Sequence, residues 1–251
     1  MKKRLILGDV HGHFDTLKKI YDQENPDEVI ILGDYFDNFH GSDQSIIDCF
    51  ENIIKLREEH LAKGKGDFIL LIGNHDFHYM CSDEHYSGKR ESYAAYAHVR
   101  LEELHQAGIL KYVHIDMQNK IIYSHAGVTN SWCEDHFDTT DINILNKYIN
   151  TVGYNYFLFS HKAYRDYYGY SKWHGPLWVR PYSLYSDLYK DSASGKHFSQ
   201  IVGHTHMRQP ELKQIGNATV YVLDTLPDFY MTQKYNDNGE IILYELKEFK
   251  Q

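Results

Sequence analysis

The chain has 251 residues, of which 42% are hydrophobic and 24% are charged, and this balance excludes disordered, collagen-like and coiled-coil proteins. Its formal net charge of −9 argues against a broad nucleic-acid-binding surface, because such surfaces depend on many Lys and Arg contacts with phosphate. The chain contains 17 histidines but only 12 phenylalanines. This histidine excess is the feature to explain.

The cysteines and the apolar stretches favour a cytoplasmic protein. Cys49, Cys81 and Cys133 are far apart and form no paired motif, so we expect neither a disulfide framework nor a thiolate zinc site. The apolar residues after Arg4 are interrupted at Gly8, too early for a signal peptide, and no other stretch approaches membrane-spanning length. We therefore expect a cytoplasmic location and no membrane partner.

In the first half, short β-branched and leucine-rich runs alternate with amphipathic segments, which is typical of an α/β sandwich. We predict strands at 4–8, 28–32, 67–72, 110–115 and 120–124. Helices are predicted at 15–23, 43–61 and 91–107. The last third predicts strands at 200–202, 219–223, 230–233 and 241–246, with a hairpin turn at 236–239.

The segment at about 153–198 is rich in tyrosine and lacks clean periodicity. We interpret it as an insertion or cap in which most rings pack a loop-rich subdomain and a minority line a substrate cleft. Because the chain shows no internal repeat and no low-complexity linker, we expect a single domain over 1–251 that carries this insertion.

Polar residues follow the predicted strands at the point where each strand ends. The first strand ends in GDVHG at 8–12, the second in GDYFD at 33–37 and the third in GNHD at 73–76. Because glycine permits a tight turn and open α/β sheets place ligands at the carboxyl ends of their strands, we expect these segments to converge. A fourth strand ends in SHAG at 124–127 and a fifth in GHTH at 203–206.

Side chains at these five strand ends offer carboxylate, imidazole or amide ligands: Asp9, His11, Asp34, Asn74, His125, His204 and His206. This donor set contains no thiolate and suits Mn²⁺, Fe or Zn²⁺. It exceeds what one ion requires, so we predict two ions, which in two-metal hydrolases lie roughly 3.5–4 Å apart. The expected bridging carboxylate is Asp34.

The ordered motifs GDVHG, GDYFDN, GNHD, SHAG and GHTH resemble those of the calcineurin-like metallophosphoesterase superfamily. GDVHGH, SHAG and GHTHMRQP are most similar to its branch of bacterial and phage-type serine/threonine phosphatases and diadenosine tetraphosphate hydrolases. The match runs in order from Gly8 to Asp224. The resemblance implies a four-layer α-β-β-α metallophosphoesterase sandwich of two mixed sheets flanked by helices.

The resemblance also implies how the ligands divide between two divalent ions, expected to be Mn²⁺ with Fe or Zn²⁺ as alternatives. Those of the first ion would be Asp9, His11 and the bridging Asp34. Those of the second would be the same bridge with Asn74, His125 and His204. His206 matches the second His of the superfamily's GHxH, which completes the first ion's ligands, although the closer branch usually lacks it.

In the family, the His that follows the Asn ligand faces the leaving-group oxygen as a general acid, and His75 occupies that position. Asp37 matches the second Asp of the family's GDxxDRG and would orient the ring of His75. The match then breaks, because this chain has Asn38 where the family has a phosphate-binding Arg.

A second family arginine does have a match, in the sequence WVR at 178–180, which makes Arg180 the candidate phosphate clamp. Arg208 or Lys162 would replace the arginine that is missing at position 38.

The favoured function is a phosphomonoesterase that acts on a phosphoprotein or a small phosphorylated metabolite through a water activated by two metal ions. The alternative, on the same site, is hydrolysis of diesters, nucleotides or dinucleoside polyphosphates. A third reading is a non-enzymatic module that binds a partner through its tyrosines. The intact ligand set argues against it, because a binding module does not need a bridging carboxylate beside a His that binds no metal.

Overall fold

The computed structural model describes residues 1–37, 41–81, 91–153, 166, 168–226 and 228–250. Predictions that rest on Asn38, on Lys162 or on the tyrosines at 154–165 and 167 lie outside the described residues. The chain forms two compact units: the first comprises Met1–Lys111 and Thr225–Gln251, and the second comprises Tyr112–Asp224.

The first unit contains a six-stranded mixed sheet with the strand order β11-β10-β1-β2-β3-β4. Its strands are β1 (Lys2–Leu7), β2 (Glu28–Ile31), β3 (Phe68–Leu71), β4 (Leu110–Lys111), β10 (Phe229–Tyr235) and β11 (Ile241–Glu248). Its helices are α1 (Phe14–Glu24), α2 (Asp43–Ala62), α3 (Asn74–Met80) and α4 (Glu91–Gln106). Strands β1 to β4 are mutually parallel, whereas β10 pairs antiparallel with β1 and β11.

The elements of the first unit follow from local sequence. Strand β2 reads EVII and β3 reads FILL, and such continuous apolar runs are typical of parallel strands that are buried on both faces. Helix α2 begins after Ser42, whose side chain accepts a hydrogen bond from the Ser45 N–H at 3.2 Å. On the same helix Ile46, Phe50 and Ile53 are fully buried along one stripe.

The second unit contains a five-stranded mixed sheet with the strand order β5-β6-β7-β9-β8. Its strands are β5 (Val113–Asp116), β6 (Ile121–Ser124), β7 (Ser199–Val202), β8 (Glu211–Ile215) and β9 (Ala218–Val222). Its helices are α5 (Asn130–Phe137), α6 (Ile142–Tyr148) and α7 (Pro181–Ser186). Strands β6, β7 and β9 are parallel.

The prediction of one strand over 110–115 is wrong. The segment forms two short strands in different sheets, β4 and β5, separated by Tyr112. The amides of Tyr112 and Val113 donate to Oδ1 of Asn150 at 2.8 and 3.1 Å, so a side chain takes up the hydrogen bonds where the ladder is interrupted. The α/β class with two mixed sheets and flanking helices is confirmed. Of the helices described, none combines the length and the apolar character needed to cross a membrane.

Candidate functional site

The loops that follow β1, β2 and β3 leave the same edge of the first sheet, because these strands are adjacent and parallel. Backbone hydrogen bonds tie the first loop to the second: the N–H groups of Val10 and His11 donate to the carbonyl of Asp34 at 3.1 and 2.8 Å. The structure therefore brings together the three motif segments that the sequence places after these strands.

Two glycines allow the second and third loops to approach closely. Gly33 has a φ of +110°, and a Cβ there would lie 2.5 Å from the backbone nitrogen of Gly73. A Cβ on Gly73 would overlap the carboxylate of Asp34. Any side chain at either position would therefore push the Asp34 loop away from the start of α3.

The motif loops also hold non-glycine residues in the left-handed region. His11, Asp34 and Asp37 have φ angles of 40°, 53° and 65°. Such conformations cost about 1–3 kcal/mol each and persist where surrounding contacts fix the backbone. Three residues whose side chains the sequence assigns to metal binding or to the orientation of His75 are thus among those that carry this strain.

Asp76 supplies the contacts that fix the Asp34 loop, a role that the sequence prediction did not include. Its Oδ2 accepts from the N–H groups of Asp34 and Gly73, each at 2.8 Å, and its Oδ1 accepts from those of Tyr35 and Phe36 at 2.8 and 3.3 Å. Burial and the nearby Asp34 carboxylate raise the pKa of Asp76, while these N–H donors oppose the rise. The GNHD motif, which ends in this Asp, was the available signal.

Two buried carboxylates and a half-buried imidazole form a donor set in the first unit. Asp9 and Asp34 are buried, with 3% and 2% of their surface exposed. Nδ1 of His11 lies 3.0 Å from the Phe36 carbonyl, which leaves Nε2 at 3.5 Å from Oδ2 of Asp34. This combination of carboxylate and imidazole fits a divalent transition metal.

Asn74 and His75 begin helix α3, directly after Gly73. Asn74 is buried, and the N–H of His75 donates to Oδ1 of Asp34 at 2.9 Å. The start of the helix is therefore fixed to the carboxylate that the sequence proposes as the bridge.

His75 and Asp37 form a hydrogen-bonded pair, with Nδ1 of His75 at 2.9 Å from Oδ2 of Asp37. Since the carboxylate accepts, the ring carries a proton on Nδ1. Burial disfavours the charged ring, but the carboxylates of Asp34 and Asp37 outweigh it and raise the pKa of His75 to about 9. The side chain remains 28% exposed, so solvent can reach the ring.

The second unit brings two of the predicted histidines together. His125 follows β6 and His204 lies beyond β7, and these neighbouring strands are parallel. The rings lie 5.0 Å apart between centroids, and the N–H of Gly203 donates to the His125 carbonyl at 2.7 Å. His125 is fully buried, whereas His204 is half-buried, has a φ of 64° and places Nε2 at 3.2 Å from the Trp178 carbonyl.

His206 is different from these two histidines. Its side chain is 80% exposed, and its Nδ1 lies 4.0 Å from Oδ1 of Asp224. Its role as a metal ligand stays a prediction.

Arg180 is half-buried beside the GHTH loop. Its Nη1 donates to the His204 carbonyl and to Oγ1 of Thr205, both at 3.1 Å, and its Nε donates to the Tyr168 carbonyl at 3.0 Å. One of the three guanidinium nitrogens therefore braces this loop, and a second is bonded to the backbone of Tyr168. Its role as a phosphate clamp stays a prediction, and Arg208 is exposed.

The sequence matches the family described as calcineurin-like phosphoesterase over residues 2–208. No curated protein matches it. The cold-active protein-tyrosine phosphatase of a psychrophilic Shewanella species is 18% identical, with a TM-score of 0.57 over 100% of this chain and 81% of that chain. Another structure of a cold-active protein tyrosine phosphatase is 19% identical, with a TM-score of 0.59 over 94% of this chain and 75% of that one.

At these identities the two structures show a shared fold. The family match spans most of the chain. The protein therefore belongs to the calcineurin-like phosphoesterase family of metal-dependent phosphate ester hydrolases.

Proposed function

We propose that the protein is a phosphomonoesterase of the bacterial and phage-type phosphatase branch, acting on a phosphoprotein or a small phosphorylated metabolite. The observation that carries this proposal is the His75–Asp37 pair. The Asp37 carboxylate holds the His75 ring at Nδ1 at 2.9 Å, and the backbone N–H of His75 donates to Asp34 at 2.9 Å. A proton donor is thus fixed beside a proposed metal ligand.

The proposal assigns two divalent ions, Mn²⁺ in the first instance with Fe or Zn²⁺ as alternatives, to these side chains: Asp9, His11, Asp34, Asn74, His125, His204 and His206. The donor chemistry of each unit supports it, since both offer imidazole and the first adds two buried carboxylates. When bound, the ions supply an activated water and neutralise charge on the phosphate.

The residues of the chain would supply the other steps. His75 gives the proton on Nε2 to the leaving oxygen as the ester P–O bond breaks, and the bonding electron pair stays with that oxygen. The oxygen of the attacking water bonds to phosphorus and loses its proton to solvent. Asp37 stabilises the charged ring before transfer, and Arg180 binds phosphate oxygens.

A second candidate, hydrolysis of diesters or dinucleoside polyphosphates, is favoured by a pair of exposed tyrosines. The side chains of Tyr168 and Tyr170 are 73% and 66% exposed, with ring centroids 6.4 Å apart. Arg180 donates to the Tyr168 carbonyl, so the backbone that carries this ring is bonded to the proposed phosphate clamp. Such rings can stack on a base. The two similar structures are of protein tyrosine phosphatases, and this favours the monoester instead.

The proposed location is the cytoplasm. Cys49, Cys81 and Cys133, which all lie in the described part of the chain, are buried and form no disulfide. Reduced thiols are typical of a reducing compartment, and this supports the proposal.

The experiment that chooses among these functions is a substrate panel with Mn²⁺. It contains an aryl phosphate, the bis-aryl diester, a phosphopeptide, a dinucleoside tetraphosphate and a cyclic nucleotide, compared by kcat/KM. We expect the monoesters to be preferred, and we expect chelation to remove the activity and added Mn²⁺ to restore it. Preference for the tetraphosphate or the diester would establish the alternative, and no metal-dependent hydrolysis would refute both.

The substitution His75→Asn tests the proton donor. A phosphate ester with a poor alkyl leaving group needs a general acid, so we expect its kcat to fall by about 10²–10⁴-fold. An aryl phosphate with a good leaving group should lose much less, and Mn²⁺ content should be unchanged. The control is His105→Asn, since His105 lies near the end of α4 and its ring is hydrogen-bonded to a backbone carbonyl. An equal loss on both esters would contradict the assignment.

A further inference from the structure

The carboxylate of Asp37 makes a second set of contacts that the proposed mechanism leaves unexplained. Oδ2 faces His75, but Oδ1 accepts hydrogen bonds from two tyrosine hydroxyls, Tyr79 at 2.5 Å and Tyr93 at 2.7 Å. Tyr79 and Tyr93 are 2% and 1% exposed. We call these two residues the tyrosine pair. Three donors therefore hold the one buried carboxylate through both of its oxygens.

The fold delivers these donors from two helices. His75 and Tyr79 are four residues apart on α3, so they share one face of that helix, and Tyr93 comes from α4. The ring of Phe36 packs against both tyrosines, with centroids at 5.6 and 5.8 Å, and the tyrosine rings lie 5.4 Å from each other. The hydroxyls are therefore fixed by packing and not only by their hydrogen bonds.

The direction of the hydrogen bonds is also fixed. Burial, together with the hydrogen bond to Asp37 and the charge of that carboxylate, raises the pKa of Tyr93 to about 12, although the hydrogen bond with Tyr79 lowers it. Burial alone would raise the pKa of Asp37, but hydrogen bonds from His75, Tyr79 and Tyr93 outweigh burial and lower it. The hydroxyls thus act as donors to an ionised carboxylate, and such charge-assisted bonds are stronger than neutral ones.

Without such donors, an Asp carboxylate does not keep the imidazole ring that is bonded to it in one orientation. The torsion that rotates an Asp carboxylate is broad and has no sharp minima. If the plane of Asp37 turned, the imidazole bonded to Oδ2 would turn with it, and Nε2 would leave the line toward a leaving oxygen. Misplacement of a reacting group by about 1 Å costs on the order of 10²-fold in rate.

We propose that Tyr79 and Tyr93 are positioning residues, which hold the Asp37 carboxylate in the one plane that aims His75 at the leaving group. The inference rests on the proposed function of His75 as proton donor. It deepens that function by substrate class, because esters with poor alkyl leaving groups depend on the tyrosine pair and aryl esters do not.

The test uses Tyr79→Phe, Tyr93→Phe and the double variant, which remove the hydroxyls but keep the rings in the core. The matched control is Tyr96→Phe. Tyr96 lies on the same helix as Tyr93, and its hydroxyl donates to a different carboxylate, Oε1 of Glu51, at 2.5 Å. The variants are assayed with Mn²⁺ on two substrates. One is the aryl ester p-nitrophenyl phosphate, and the other is an alkyl phosphate in the form of a phosphoserine peptide.

For each single variant we expect kcat on the alkyl phosphate to fall about 3–10-fold, and for the double variant about 30–100-fold, as part of the general-acid contribution. Activity on p-nitrophenyl phosphate should stay within about twofold, and Tyr96→Phe should change neither. In the metal-free protein, the NMR resonance of the His75 Nδ1 proton should shift or broaden in the tyrosine-pair variants and remain in Tyr96→Phe. In a His75→Asn background the tyrosine changes should have no further effect on kcat.

The failures of the two proposals differ. If His75→Asn loses alkyl phosphate activity selectively while the tyrosine-pair variants behave like Tyr96→Phe, the positioning role is overturned and the proton donor stands. An equal loss on both substrates in the tyrosine-pair variants also overturns positioning. If His75→Asn itself shows no selectivity, the proposed function fails. Should Tyr79→Phe not fold, Tyr93→Phe decides the question alone.

Discussion

In the first unit, the site carboxylates Asp34, Asp37 and Asp76 are 2%, 7% and 0% exposed, whereas in the second unit the side chain of His206 is 80% exposed. Several hydrogen bonds fix the described site carboxylates of the first unit, as the donors around Asp37 and Asp76 show. A site residue in the first unit is therefore held before any ligand arrives. The site residues of the second unit range from the buried His125 to the solvent-exposed His206.

Of the substitutions proposed here, Asp76→Asn should have the largest effect, because Asp76 holds the Asp34 loop of the first unit in place. An amide has one acceptor oxygen, so two of the four N–H donors now bound by Asp76 would face an NH₂ group. Each unsatisfied buried donor costs about 1–3 kcal/mol, so the free energy of unfolding should fall by about 3 kcal/mol or more. Urea denaturation measures this loss, and activity should fall with it because the Asp34 loop loses its support.

The matched control lies in the second unit. Asp191 is buried and accepts from the backbone N–H groups of Ile142, Ala193 and Ser194 at 3.1, 3.3 and 2.9 Å. Asp191→Asn should destabilise the protein to a similar extent and leave kcat unchanged in the folded fraction. If Asp76→Asn kept full activity when folded, Asp76 would be a stability residue alone.

Arg180→Gln should have an intermediate effect. The charged hydrogen bond to phosphate that we propose is worth about 1.5–3 kcal/mol, so KM should rise about 10-fold or more while the fold is kept. Thr205→Val removes only the hydroxyl that Arg180 contacts at 3.1 Å and should leave KM within about twofold. An unchanged KM in Arg180→Gln would mean that the guanidinium serves only to brace the GHTH loop.

The sequence predicted the strands of the first unit better than those of the second, and the apolar composition of the strands explains why. Apolar runs such as EVII and FILL, each followed by Gly and a polar residue, identify buried parallel strands and the loops at their ends. Strand β8 escaped prediction because its sequence, ELKQI, is mostly exposed at the edge of its sheet and carries no apolar alternation.

The supporting residues of the site were harder to predict than the motif residues. Asp76 and Tyr79 stand within one helical turn of His75, so their spacing was visible, but the spacing does not tell which loop each side chain reaches. Tyr93 comes from another helix, and its hydroxyl reaches Asp37 through tertiary packing in which Phe36 contacts both rings. Tertiary contacts of this kind leave no local pattern in a sequence.

His206→Ala should have the smallest effect. A ligand that is 80% exposed competes with water for the metal, so its loss should weaken Mn²⁺ binding by only about tenfold. The activity lost at low Mn²⁺ should then return at high Mn²⁺, which a metal titration of kcat/KM measures. Gln209→Ala, an exposed change three residues away, should leave the titration curve unmoved. A loss in His206→Ala that excess Mn²⁺ does not restore would place His206 among the residues that act on the substrate, whereas an unshifted curve would remove it from the ligands.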